Sequence, residues 1–249
     1  MRKDLLRFLP ATVELAVAAT FVAIAIGIPL GIAAAVHRDR WTDHLARIGS
    51  LIGVSVPVFW LGLLALAVFY YRLELFAWPG RLDPSIPAPP VRTGLLTIDS
   101  LLAGRWDAFL NALRHLALPA LVLGAYSMGV ITRITRSSLL EVLAQDDIRT
   151  ARAKGLAEHV VLLRHALRNA FIPTVTIIGL ASGNLMAGAV MTETIFAWPG
   201  IGRYAVDAAS KLDYPAIMGV TLLVAFAYVV INFFVDLSYA LLDPRIRLD

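Results

Sequence analysis

The stretch ATVELAVAATFVAIAIGIPLGIAAAV, residues 11–36, holds one charged residue, Glu14. A helix needs roughly 20 apolar residues, at about 1.5 Å each, to cross a hydrocarbon layer about 30 Å thick. This run exceeds that length, so it predicts a membrane span. The preceding MRK looks like the charged start of a signal peptide. The apolar run is far longer than the 7–15 residues of such a leader, and it reads as a true span.

Four further segments qualify, at about 48–71, 115–135, 170–191 and 215–242. The chain is 59% hydrophobic and 16% charged, against about 25% charged in a soluble domain. Its mean hydropathy is +0.74. The expectation is an all-α polytopic membrane protein, one transmembrane domain over residues 1–249 with about five spans. An external loop at 72–114 and a cytoplasmic loop at 136–169 join them. There is no cysteine, which excludes disulfides, thiolate metal sites and a cysteine nucleophile. The net charge is +4. Nucleic acid is not the expected partner, because no basic run is interleaved with aromatics for base stacking.

Loops 37–47 and 133–169 and the tail 243–249 hold twelve of the 22 Arg and Lys residues. The bias sharpens once the long loop 72–114 is discounted, so these loops face the cytoplasm and the N-terminus lies outside. The basic MRKDLLR fits that side poorly; a preceding span would account for it. Pro29, Pro57, Pro119 and Pro173 sit in or beside the spans, where neighbours can re-satisfy a freed carbonyl. Gly27 and Gly31 make a G-x-x-x-G, a spacing that lets helix backbones approach closely. In the external loop, residues 77–92 are too rich in Pro and Gly for regular structure. Residues 95–114 carry Leu95, Ile98, Leu101, Leu102, Phe109 and Leu113 at helical spacing and predict an amphipathic helix at the interface.

The loop 136–169 concentrates positive charge. Leu139, Leu140, Val142 and Leu143, then Leu156, Val160, Leu163 and Leu167, predict two amphipathic helices. Gly155 between them suits a sharp corner. Asp146 and Asp147 are adjacent, so they cannot share a proton; they balance Arg149 and Arg152 at helical spacing. The loop is either a helix lying on anionic lipid or a docking helix for a soluble partner.

RTARAKGL followed by RHALRNAFIP resembles the cytoplasmic EAA-type loop of ATP-binding-cassette importer permeases, in the dipeptide, oligopeptide and nickel branch. Arg149, Thr150 and Ala151 fill the Glu-Ala-Ala positions, Gly155 is the family glycine, and Leu167 matches the family leucine. His165 and Arg168 depart from the broad pattern, and Pro173 takes the place of its proline. GVSVPVFWLG, GAVMTETIFAWPGIGRYAVDA and VDLSYALLDPRIR are similar to the same branch. The resemblance implies the MetI-like type I importer fold, with the first family helix missing from this chain. It implies a bacterial inner-membrane permease for peptides or related small solutes, including nickel chelates. The implied partners are a second, paralogous permease, two cytoplasmic ATP-binding subunits, an extracytoplasmic substrate-binding protein and membrane lipid. Arg149, Thr150, Ala151, Arg152, Lys154, Gly155, Leu156, Glu158 and Arg164 would couple to the ATPase.

The chain itself is not expected to be an enzyme. Lys3, Lys154 and Lys211 are followed by Asp, Gly and Leu, so no phosphate loop ending in Lys-Ser/Thr exists. ATP and Mg belong to partner subunits, and no cofactor is expected here. The histidines show no metal-ligand pattern. Glu14 and Asp236, ionisable at membrane depth, either serve a pathway or packing role, or Glu14 snorkels outward and Asp236 lies near the cytoplasmic end. Asn184 lines the route or bonds a neighbouring helix. Glu193, Trp198, Gly200 and Arg203 form an external gate, a docking surface for the binding protein, or a turn that caps two spans. The rival function is an ion-gradient-driven secondary transporter, which internal repeats and mid-span charges would favour; no repeat is evident and mid-span charges are few.

Overall fold

The computed structural model describes residues 2–77 and 79–242, without the side chains of residues 2, 184, 186–188, 231, 234–236 and 238–242. The side chains of Asn184 and Asp236 and the tail 243–249 therefore lie outside the described residues. Among the described residues the chain is helical, with no strand. In order come α1 (Arg2–Val36), α2 (Trp41–Ser55), α3 (Val58–Ala65) with a π-helical extension (Leu66–Arg72), α4 (Leu96–Leu102) and α5 (Trp106–Leu143). Then follow α6 (Asp146–Ala153), the short α7 (Glu158–Val160) with a π-helical segment (Val161–Ala166), α8 (Leu167–Ile195), α9 (Ile201–Ser210) and α10 (Tyr214–Leu242).

Among the described residues, α1 and α5 are long and apolar enough to cross a membrane, and α2 with α3 supplies a third if they are one broken span. The break falls at Pro57, whose ψ of 134° is extended. Proline lacks the amide hydrogen and pushes its predecessor out of the helical region. Pro119 and Pro173, in contrast, lie inside continuous α5 and α8. The helix expected over 95–114 is two elements. α4 stops at Leu102, Gly104 turns the chain at φ +67°, and Trp106 onward begins α5. The first apolar part of the loop, Leu139 to Leu143, likewise belongs to α5.

The chain forms two compact units, residues 1–21, 56–125 and 182–231, and residues 22–55, 126–181 and 232–249. In the first, Ala65, Leu118, Val122 and Phe196 build an apolar core. Glu14 does not snorkel: it is buried, pairs with Arg81, and accepts bonds from Thr97 N and Oγ1 at 2.8 and 2.7 Å. Its carboxylate thus satisfies an orphan amide in the first turn of α4. The irregular 79–95 segment is held by polar contacts. Thr93 N and Gly94 N donate to the Asp99 carboxylate at 2.7 and 3.0 Å, and Asp83 N donates to Asn111 Oδ1 at 3.0 Å.

In the second unit the G-x-x-x-G pair works as the sequence suggests. A Cβ on Gly31 would lie 2.7 Å from Thr135 Cβ, and one on Gly27 3.1 Å from Met128 O. The two glycines let α1 and α5 meet backbone to backbone. Gly129 does the same for α2, where a Cβ would lie 2.7 Å from Ser50 O. The fully buried Asp43 ties α2 to α5 through a bidentate pair with Arg136, at 2.6 and 2.7 Å.

Candidate functional site: the coupling loop

Gln145, in extended conformation, ends α5's trailing turn and starts α6. Asp146 and Asp147 occupy the first turn, where carboxylates favour the positive end of the helix. Ile148 and Ala151, three residues apart, turn inward and are buried. They pack in one cluster with Leu139, Val142, Val161, Ala166 and Ala170. The base of the loop is therefore fixed to α5 and α8 by apolar burial.

Gly155 closes α6. Its N–H donates to Arg152 O at 2.9 Å, and Leu156 N–H reaches Ala151 O at 3.4 Å. This pair of bonds is a Schellman cap, which needs a left-handed residue at the turn. Gly155 supplies it, at φ +76°. An added Cβ would meet nothing within 4 Å, so the demand on glycine is conformational rather than steric.

Around this corner Arg149, Thr150, Arg152, Lys154, Gly155, Leu156, Glu158 and Arg164 are all exposed, and Ala151 alone of the expected set is buried. Arg152 pairs with Glu158 across the turn, at 3.1 and 2.6 Å, rather than with the α6 carboxylates. The bond from Arg152 holds the Glu158 carboxyl below its usual range. Arg149 bonds Asp146 at 3.2 Å. Among the described residues Lys154 and Arg164 form no salt bridge, and Leu156 is 41% exposed. The result is a mixed polar and basic corner with one bare leucine, set on an apolar footing.

The expected apolar face of Leu156, Val160, Leu163 and Leu167 does not form. Leu163 is 64% exposed, while Val161 and Ala166 are buried. The cause is the π-helical segment Val161–Ala166. A π turn takes an extra residue, so steps of four and three no longer return to one face.

The second group gathers at the end of α8. Glu193 is fully buried and has no cation within salt-bridge reach among the described residues. Thr12 Oγ1 donates to its Oε1 at 2.6 Å and Arg203 N donates to its Oε2 at 3.0 Å. Thr12 Oγ1 also accepts from Ile201 N at 2.8 Å. Any Cβ on Gly200 would overlap the Glu193 carboxylate. Trp198 is 1% exposed, donates from Nε1 to Ala11 O at 2.8 Å, and lies under the Arg81 guanidinium at 5.6 Å. Arg203 Nη1 donates to Ala197 O at 2.8 Å. Glu193, Trp198, Gly200 and Arg203 are thus brought together, and with Thr12 they tie α1 and the start of α9 to α8. Thr12 and Arg81 carry this lock without a local sequence signal, being 181 and 117 residues from the partners they hold.

Among the described residues the chain is a helical bundle with a glycine-capped basic corner. Residues 27–248 match the family described as binding-protein-dependent transport system inner membrane component. The chain is 50% identical to the Probable D,D-dipeptide transport system permease protein DdpB of Escherichia coli (strain K12), over 98% of this chain and 72% of that one. It is 48% identical to the Di/tripeptide transport system permease protein DppB of Pseudomonas aeruginosa (strain UCBPP-PA14), over 98% and 72%. Among solved structures it is similar to the MetNI methionine ABC transporter in an inward-facing conformation. There the TM-score is 0.67, identity is 16%, and 98% of each chain is covered. The chain belongs to the binding-protein-dependent transport system inner membrane components and has the MetI-like type I importer permease fold.

Proposed function

We propose that this chain is the membrane-spanning subunit of an ATP-driven importer of dipeptides and tripeptides, and that it couples to separate ATPase subunits through residues 149–164. Supporting the substrate class are its relatives, named as dipeptide and di/tripeptide transport permeases, at 48–50% identity over nearly the whole chain. Supporting the coupling is one observation above all. Gly155 presents an exposed polar corner whose base, Ile148 and Ala151, is buried in the helical core. A lever needs a firm root and a free tip, and a two-state change passes only through a stiff element.

In this reading five segments span the inner membrane of a bacterium. A second permease completes the pore, two ATPases stand on the coupling loops, and a binding protein delivers substrate from outside. This chain binds no nucleotide and does no chemistry. The Glu193–Trp198–Arg203 cluster is its external cap. Buried Trp198 is part of the packing there, and movement of α9 against α8 would serve as the gate.

The test is reconstitution in proteoliposomes with the ATPase and binding-protein partners. Labelled dipeptide uptake should require internal ATP and ignore ion gradients. Uptake that survives ATP removal and collapses with an ionophore would transfer the chain to the secondary transporters.

A further inference from the structure

In the second unit, the segments 38–54 and 129–140 enclose a cleft of about 960 Å³. Its floor is apolar, formed by Ile48, Leu51 and Val54, and Leu51 is 65% exposed. Its rim is basic. Two of the rim arginines are accounted for, Arg38 by Asp39 at 3.3 Å and Arg136 by Asp43 at 2.6 Å. Arg47 and Arg133 are exposed and form no salt bridge among the described residues, because Asp43, the nearest acid on α2, is already taken by Arg136. Both belong to loops that the charge count places at the cytoplasmic face. Trp41, at the start of α2, is 71% exposed, the placement of an interfacial indole.

We propose that this cleft is a binding site for one anionic phospholipid, its phosphate held by Arg47 and Arg133 and its acyl chains lying on Ile48, Leu51 and Val54. The chemistry requires both halves of the cleft. Guanidinium forks suit a phosphate, and basic pockets between membrane helices on the cytoplasmic side bind acidic headgroups. A small soluble anion would use the rim and leave the floor wet. A zwitterionic lipid would cover the floor and set its own cation against two arginines. A neighbouring helix would cover the floor and bury two unpaired guanidiniums, which is costly. From Arg47 to Val54, α2 rises about 10 Å, enough to guide the first part of an acyl chain. The Gly129–Ser50 crossing brings α2 and α5 together beside this floor.

The test is native mass spectrometry of the assembled importer, extracted from membranes with equal phosphatidylglycerol and phosphatidylcholine. One phosphatidylglycerol per copy of this chain should be retained, and phosphatidylcholine should not. R47Q/R133Q should cut retention by about ten-fold or more, since two phosphate contacts are lost. R47K/R133K should restore most of it, and all variants should still assemble with the ATPase. Equal retention of both lipids, undiminished retention in assembled R47Q/R133Q, or release of the lipid by millimolar inorganic phosphate would overturn the proposal. So would an efficient crosslink from Leu51→Cys, the only cysteine in such a chain, to the neighbouring permease.

Discussion

Gly155 offers a clean separation of conformation from contact. Its φ of +76° is left-handed, and no atom lies within 4 Å of an added Cβ. A substitution there meets no clash, so its cost is the backbone penalty alone, about 1–2 kcal/mol for an ordinary L-residue. Asparagine, which tolerates this region, should cost much less. A β-branched side chain should lie at or above the upper end of that range. At about 1.4 kcal/mol per factor of ten, Gly155→Val would lower the ratio of capped to uncapped corner by about thirty-fold. Gly155→Asn should leave it nearly intact. The assay is the number of dipeptides imported per ATP hydrolysed by the reconstituted complex. The expected order is wild type, then Asn close behind, then Ala, then Val, with ATP turnover persisting as import falls. If Val couples normally, the corner is not the transmitting element. If Asn fails as badly as Val, the site needs the absence of a side chain against a partner, not the left-handed turn.

Other perturbations test the scaffold. The fully buried Asp43 takes two bonds from Arg136, at 2.6 and 2.7 Å, so Asp43→Asn leaves that guanidinium without its counter-charge and should lower thermal stability by about 3 kcal/mol. Gly200→Ala should destabilise by about 1–3 kcal/mol through overpacking against Glu193. Adding Glu193→Ala should recover part of that loss, a non-additivity that a double-mutant cycle would measure. Trp198→Ala should cost about 3–5 kcal/mol as a buried aromatic deletion. Trp198→Phe should cost about 1 kcal/mol, the Nε1–Ala11 O bond being lost while Ala11 O keeps its helical partner in α1; equal loss in both variants would mean the ring's packing contributes little.

Length and apolarity predict the spans, because a bilayer demands both; among the described residues α1 and α5 meet both demands, and α2 with α3 does so if they are one broken span. Gly27, Gly31 and Gly155 were legible for a related reason: each occupies a place where a side chain is excluded, by a neighbour's backbone or by the sign of φ. The apolar face of Leu156 to Leu167 was misread because periodicity assumes an α-helix, and residues 161–166 form a π turn. Arg152 was assigned to Asp146 and Asp147 because helical spacing reports only local partners, while Glu158 lies beyond the turn. The burial of Glu14 and Glu193 was likewise hidden. Each depends on groups brought from far along the chain, Arg81 and Thr97 for one, Thr12 for the other. One-dimensional pattern carries lengths, faces and forbidden side chains, and leaves such long-range polar pairing undetermined.

Coupling as proposed for this chain requires the Gly155 corner to enter a separate ATPase. The chain has no native cysteine, so Leu156→Cys places one thiol at that corner. In the assembled, nucleotide-loaded particle this thiol should crosslink to the ATPase subunit in high yield, while Phe21→Cys on the apolar surface of α1 should not. A Leu156→Cys thiol that reacts only with membrane-dissolved probes, and never with the ATPase, would contradict it.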